Sequence, residues 1–271
     1  MGDNVILRCD HLVKVYDSPT GRVQAVRGVD LEIEAGSLSA VVGPSGSGKS
    51  SLLRMLAGLD RPTAGLVTVD GIDLNALRPG RRARTRAGLL THVHQNPTDN
   101  LLSHLTAGQQ LWRIARPRSD AGRVTSEALE ALGLASRRDH TPSELSGGEC
   151  QRLAFARAAV AGHRLVIADE PTAQLEGSST TATLAAMSHL TAQGVTVLVA
   201  THDPRLLAQV DQVVTLRDGA VASVSSAGTE LAVIDGSGRL QLPPDIRQRF
   251  PERRARVSWD EGAGHMVVER P

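Results

Sequence analysis

Aromatic side chains are scarce in this chain: five of 271 residues are Phe, Trp or Tyr. With 41% hydrophobic content, the interior must be filled by aliphatic side chains and alanine. Net charge is almost absent too, since 30 Lys and Arg face 29 Asp and Glu for a formal +1. That balance argues against a general binder of nucleic acid or of anionic membranes. No apolar run approaches the roughly 18–20 residues of a membrane span. The polar start Met1-Gly2-Asp3-Asn4 is no signal peptide, so a cytosolic protein is expected. The two cysteines, Cys9 and Cys150, make neither a disulfide framework nor a zinc site and read as unpaired thiols. Cys150 directly follows Glu149, which leaves open whether alkylation would disturb a helix starting there. Lysine is nearly missing, with only Lys14 and Lys49. Where arginine has replaced lysine almost everywhere, a retained lysine marks a place that needs a slim ammonium rather than a planar guanidinium.

What is present reads as one large α/β domain with a small appendage. Val5–Val15 and Val29–Ile33 alternate apolar and polar residues as strands do, separated by the turn cluster Ser18-Pro19-Thr20-Gly21. Leu38–Val42, Leu165–Ala168 and Val195–Ala200 are short apolar runs of the buried-strand type. Leu66–Val69 reads as an edge strand, and Val213–Leu216 with Asp218-Gly219 as a closing hairpin. From about Arg78 to Glu144 the composition shifts. An arginine run (Arg81, Arg82, Arg84, Arg86) precedes Leu101–Ile114 and Val124–Leu134, both with helical spacing. Strands alternating with helices imply a mostly parallel sheet. The domain is read as residues 1–228, with a helical subdomain at about 97–160, and the β-rich tail as residues 229–271.

Three segments carry chemistry. Gly43-Pro44-Ser45-Gly46-Ser47-Gly48-Lys49-Ser50, followed by Ser51, lies after a strand and before a helix, the context a phosphate-binding loop requires. Its glycines let backbone amides wrap phosphates, Lys49 reaches two phosphates at once, and the Ser50 hydroxyl can ligate Mg²⁺. The second segment is the apolar strand that ends in Asp169-Glu170. Adjacent carboxylates at a buried strand end are costly unless used. Asp169 would support Mg²⁺ and Glu170 would polarise the water that attacks a γ-phosphate. The third, Leu145-Ser146-Gly147-Gly148-Glu149, offers bare amides ahead of a helix expected to begin near Glu149. A second phosphate-seeking surface is redundant in one chain and makes sense if it serves a nucleotide held by another copy.

Together these segments resemble the ATP-binding cassette ATPases, and the resemblance runs from about Val5 to Ser225 in the expected order. It implies an α/β P-loop NTPase fold with a mostly parallel core, an antiparallel β subdomain and a helical subdomain. It also implies ATP and Mg²⁺ as ligands and an ATPase activity. By this resemblance Tyr16 stacks on adenine, Gln95 senses metal and attacking water, and His202 contacts the γ-phosphate. Ser146, Gly147, Gly148 and Glu149 of one copy then close over ATP on the loop Gly43–Ser51 of the other in a head-to-tail dimer. The chain departs from the family at Glu176, where an aspartate is usual, and at Cys150, where glutamine is common.

Finer resemblances point to a branch. Val23–Leu31, Gly58–Gly65 and Ala168-Asp169-Glu170-Pro171-Thr172 are similar to the macrolide-exporter and lipoprotein-release ATPases, with the cell-division ATPase as sibling. This implies integral membrane permease subunits as partners and a peripheral place on the inner face of the membrane. The tail segment Ile234–Pro243 resembles the swapped-hairpin barrel of transition-state regulators, a fold completed by two chains. The tail's basic and acidic residues balance, so no nucleic-acid partner is expected. The rival readings are a soluble cassette ATPase or a regulator whose tail binds DNA. The Arg81–Arg86 run reads as a solvated helix face, with contact to a permease or lipid as its alternative.

Overall fold

The computed structural model describes residues 4–19, 21–226, 229–233, 246, 248–250, 254–262 and 265–269. The chain opens with a long antiparallel hairpin, β1 (Val5–Ser18) and β2 (Gly21–Glu34), paired from Val5↔Glu34 to Ser18↔Gly21. β3 (Leu38–Val42) leads through the glycine-rich loop into α1 (Lys49–Leu56). β4 (Ala64–Val69) and β5 (Ile72–Asp73) return to the hairpin and complete a four-stranded sheet in the order β2-β1-β4-β5. The 66–69 strand is therefore interior, not an edge, because Leu7–Asp10 pair with its other side.

The remaining elements build the larger sheet and its helical cover. They are α2 (Pro79–Leu89), β6 (Leu90–Val93), α3 (Ala107–Ala115), α4 (Ala121–Ala131), α5 (Gly147–Ala161), β7 (Leu165–Asp169), α6 (Gly177–Ala192) and β8 (Thr196–Ala200). Then follow α7 (Pro204–Leu207), β9 (Gln212–Arg217), β10 (Ala220–Ser226) and β11 (Thr229–Ala232). The larger sheet has the order β11-β10-β9-β3-β8-β7-β6. From β9 to β6 every neighbouring pair is parallel, while β10 and β11 extend the sheet antiparallel. A separate two-stranded sheet joins β12 (Arg256–Asp260) to β13 (His265–Glu269).

Both faces of the parallel core are covered, which is why its strands read as unbroken apolar runs. In β7, Val166 and Ala168 face a core shared with α3–α6, whereas Leu165 and Ile167 face the core of α1 and the antiparallel sheet. Alanines 154, 156 and 158 of α5 are fully buried and let the helix approach closely. Phe155 is the one fully buried aromatic ring among the described residues. Helix α3 starts at Ala107, not at Leu101, because Thr106 and Gln109 form a reciprocal cap there. Helix α2 carries the arginine run and has no buried residue, although Nη1 of Arg82 is shielded from solvent. No helix among the described residues is long and apolar enough to cross a membrane. The segment 234–243, on which the swapped-hairpin resemblance rests, lies outside the described residues.

Candidate active site

Parallel strands end at the same edge of their sheet, and that edge gathers the expected residues. β3 ends at Val42, just before Gly43, β6 ends just before His94-Gln95, β7 ends at Asp169 and β8 ends just before Thr201-His202. Register locks the neighbours: the Glu170 N–H donates to Ala200 O (2.9 Å), and the Thr201 N–H to Val41 O (3.2 Å).

The loop after β3 is shaped for an anion. Gly43 has φ 153, and a Cβ there would lie 2.1 Å from Leu216 O. Gly48 has φ 98, and a Cβ there would lie 2.2 Å from Ala25 O, so only glycine fits either place. The β1–β2 hairpin and the Asp218-Gly219 turn press on the loop from outside, with the Gly219 N–H donating to Ser47 O (3.1 Å). Helix α1 starts without any side-chain cap, leaving its first amides open. Lys49 folds back across the loop and donates to Gly43 O (2.7 Å) and Pro44 O (3.1 Å). Ser47 is buried and its Oγ has no hydrogen-bond partner. A buried hydroxyl without a partner, beside bare amides and an ammonium, fits a phosphate group.

Glu170 has a left-handed backbone, φ 46, which costs a non-glycine residue about 1–2 kcal/mol. Its side chain is only 15% exposed, and Oε2 lies 3.0 Å from His202 Nδ1. The two atoms are close but misaligned, so this buried oxygen makes no hydrogen bond. His202 itself is largely exposed. Asp203 fixes the backbone beyond it, accepting from Arg205 N–H and pairing with the Arg205 guanidinium. The Arg205 hydrogen bond holds the Asp203 carboxyl below its ordinary range against the opposing effect of burial.

Gln95 and Asp169 line one cleft of about 360 Å³, together with Arg54, His92, His94, Asn96, Asp99 and Gln174. Neither Lys49 nor Ser50 lines it. Among the described residues no group of three or more His, Cys, Asp or Glu could hold a metal by itself. One hydroxyl (Ser50), one amide (Gln95) and one carboxylate (Asp169) suit Mg²⁺, which keeps several waters and takes phosphate oxygens to complete its shell.

Tyr16 is half-buried, with its hydroxyl donating to Asp60 Oδ2 (3.1 Å) and Lys14 Nζ 4.8 Å from its ring centre. The second anion-seeking segment behaves differently from the loop. Helix α5 starts at Gly147, two residues earlier than expected, because Ser146 is its N-cap. The Glu149 N–H donates to Ser146 Oγ (3.3 Å), while the Ser146 N–H and hydroxyl donate to Glu149 Oε2 (2.8 and 2.9 Å). Among the described residues no hydrogen bond or ion pair joins this segment to loop 43–48. Glu176 is exposed at the start of α6 and makes no side-chain cap. Cys9 and Cys150 are both buried, and burial pushes each thiol up, Cys9 to about 12. Cys150 thus packs inside the domain, with its thiol 3.6 Å from Pro142 O.

Two contributors escape sequence reasoning. Asn100 is buried and ties the Gln95 loop together: it accepts from the His94 N–H (2.7 Å) and donates to the carbonyls of His94, Asn96 and Pro97. Arg157 of α5 donates to Asn100 O in turn. In the sequence, Asn96–Asn100 shows only the composition of a turn. Arg137 is the other. Its Nε donates to Glu149 Oε1 at 2.7 Å from twelve residues upstream, a separation without any local signal.

Comparison with known proteins identifies the family and the fold. Residues 26–173 match the family model described as ABC transporter. The chain belongs to that family. The lipoprotein-releasing system ATP-binding protein LolD 2 of Caulobacter vibrioides is 40% identical over 79% of this chain and 95% of its own length. The macrolide export ATP-binding/permease protein MacB of Salmonella paratyphi A is 37% identical over 80% of this chain, which spans 34% of that protein. Among solved structures, the dimeric post-hydrolysis state of the ATP-binding cassette MJ0796 bound to ADP and Pi matches with a TM-score of 0.73. It is 28% identical, and the match covers 81% of this chain and 98% of that one. The protein is thus an ABC transporter ATP-binding subunit, a P-loop ATPase that binds ATP.

Proposed function

We propose that two copies of this chain close head-to-tail around two ATP and drive separately encoded membrane permease subunits, in the manner of the exporter and lipoprotein-release branch. Support comes from the LolD and MacB relatives and from the dimeric cassette with the same fold. Such a subunit sits on the inner face of the membrane through its permease. The domain limits that suit this reading are residues 1–228 for the cassette, with its helical subdomain at about 97–160, and 229–271 for the tail.

The assignment of roles follows the site. The amides of Gly43, Ser45, Gly46, Ser47, Gly48, Lys49, Ser50 and Ser51 wrap the phosphates, Pro44, which has no N–H, shapes the turn between them, and Lys49 leaves its loop carbonyls to neutralise the charge. Ser50, Gln95 and Asp169 hold Mg²⁺, which when bound neutralises charge on the phosphate oxygens. Tyr16 supports the adenine. Glu170 accepts the proton of the attacking water, and His202 keeps water and γ-phosphate in place. Ser146, Gly147, Gly148 and Glu149 close over the γ-phosphate held by the second copy. Closure excludes water and completes the site, so binding of ATP drives the stroke and hydrolysis reverses it.

The observation that carries this reading is Oε2 of Glu170, a buried oxygen without a hydrogen bond, 3.0 Å from His202 Nδ1 at the edge where four strand ends meet. Glu170→Gln removes the base and keeps the shape. Hydrolysis should fall by about 10²–10⁴-fold while ATP stays trapped through a desalting column. Turnover within tenfold of the native rate would overturn the assignment.

The tail adds a second contact between copies in this reading, consistent with its resemblance to a barrel made from two chains. Trp259 and Val257 of β12 are about 60% exposed on a lone two-stranded sheet, a unit that is marginal by itself. A chain truncated after Ser226 should lose the dimer mass that the full chain shows without ATP. Equal masses would remove the tail from the assembly.

A further inference from the structure

Glu149 is an odd residue for a phosphate-facing helix start. Its carboxylate occupies the first turn of α5, where the helix end attracts anions. Under the proposed function that same end must receive a γ-phosphate carrying charge of the same sign. The carboxylate is not free to swing away. Oε2 is held by the Ser146 N–H and hydroxyl, and the side chain is only 17% exposed.

Arg137 answers this charge. It stands at the end of the short 3-10 turn Ala135–Arg137, and its Nε lies 2.7 Å from Glu149 Oε1, the oxygen that Ser146 does not use. Each carboxylate oxygen therefore has a separate partner, one set by the helix cap and one by the guanidinium. Burial pushes the Glu149 carboxyl up, but the hydrogen bonds from Arg137 and Ser146 outweigh it and bring it down to about 2. Glu149 therefore stays ionised at neutral pH with a cation locked to it. The pair presents no net charge to an incoming phosphate and fixes the Ser146 hydroxyl. Arg137 itself is 42% exposed, so it is not held there by packing alone.

We propose that Arg137 is a positioning residue of the shared ATP site: it cancels the Glu149 charge and holds the cap so that the Gly147–Gly148 amides, and the Ser146 hydroxyl once its proton turns away from Glu149 Oε2, donate to the phosphate of ATP bound to the second copy. This rests on the reading that the Ser146 segment closes over ATP. A purely mechanical clamp between the 3-10 turn and α5 is the competing account, and the two differ in what rescues the loss of Arg137.

The test measures radiolabelled ATP retained through a desalting column by the full-length Glu170→Gln protein. Adding Arg137→Met should raise the ATP concentration for half-maximal retention about tenfold, because an unscreened carboxylate then opposes the phosphate. Adding Glu149→Gln as well should restore it to within about twofold, since the opposing charge is gone. Unchanged retention in Arg137→Met, or no rescue by Glu149→Gln, overturns the proposal. If Arg137→Met does not fold, Arg137→Lys should hold ATP as the parent does and Arg137→Gln should not. Equal behaviour of those two also overturns it. Ser146→Arg separates the underlying reading: it should abolish retention, and ATP held as tightly as before would show that the segment does not face ATP. Loss with Ser146→Arg and none with Arg137→Met defeats only the role of Arg137.

Discussion

Two glycine-rich turns in this molecule lead into helices, and they solve the same electrostatic problem in opposite ways. The loop before α1 leaves its helix start uncapped, holds Gly43 and Gly48 at positive φ and parks Lys49 on its own carbonyls. It waits for an external anion. The turn before α5 is already capped, with Glu149 reaching back to Ser146 and Arg137 balancing the charge. Only the first is complete as an anion cradle within one chain. The second has its own carboxylate in place and offers a serine and amides at an exposed surface, as a lid for a ligand held elsewhere would.

The largest effect that could break this contrast concerns the glycines. Gly48→Ala puts a Cβ 2.2 Å from a backbone carbonyl at φ 98, so it should cost at least about 3 kcal/mol and abolish ATP binding. Gly148 has an ordinary helical backbone, and its Cβ would meet the Ser179 side chain at 2.8 Å. Gly148→Ala should cost about 1–2 kcal/mol and leave the affinity of the isolated loop for ATP intact. Urea unfolding and equilibrium dialysis with ATP would check both, and equal losses in the two variants would erase the distinction.

A smaller effect tests the cap by pH. The Glu149 carboxyl is lowered from an ordinary value of 4.5 to about 2. A depressed folded value gives stability that is fully present above the unfolded value and is lost as pH falls from about 4.5 toward 2. The stability gap between the native chain and Glu149→Gln should therefore be constant from pH 7 to about 5.5 and shrink below pH 4.5. A gap that does not change across that range would mean that the carboxylate is not engaged in the folded protein.

Much of this site was legible from short-range pattern. A strand, a glycine-rich loop and a lysine are neighbours in the chain, and so are an apolar strand and Asp169-Glu170; local chemistry is enough to read them. The expected start of α5 at Glu149 was displaced by two residues because a capping box works by reciprocal side-chain bonds that spacing alone leaves ambiguous. The strand at Leu66–Val69 read as an edge because pairing with Leu7–Asp10 spans some sixty positions. Asn100 was invisible because a turn asparagine looks the same whether it faces water or is buried and binds three loop carbonyls.

By itself the sequence determined the class of protein, a P-loop ATPase of the ABC family, since a glycine-rich loop with its lysine and a strand ending in two acids depend on side-chain type at fixed local spacing. Tertiary structure decided the rest. Parallel pairing of β3, β8, β7 and β6 brought four strand ends to one edge. A guanidinium from another turn came to rest on Glu149, a contact that burial and charge select only once the chain has closed on itself.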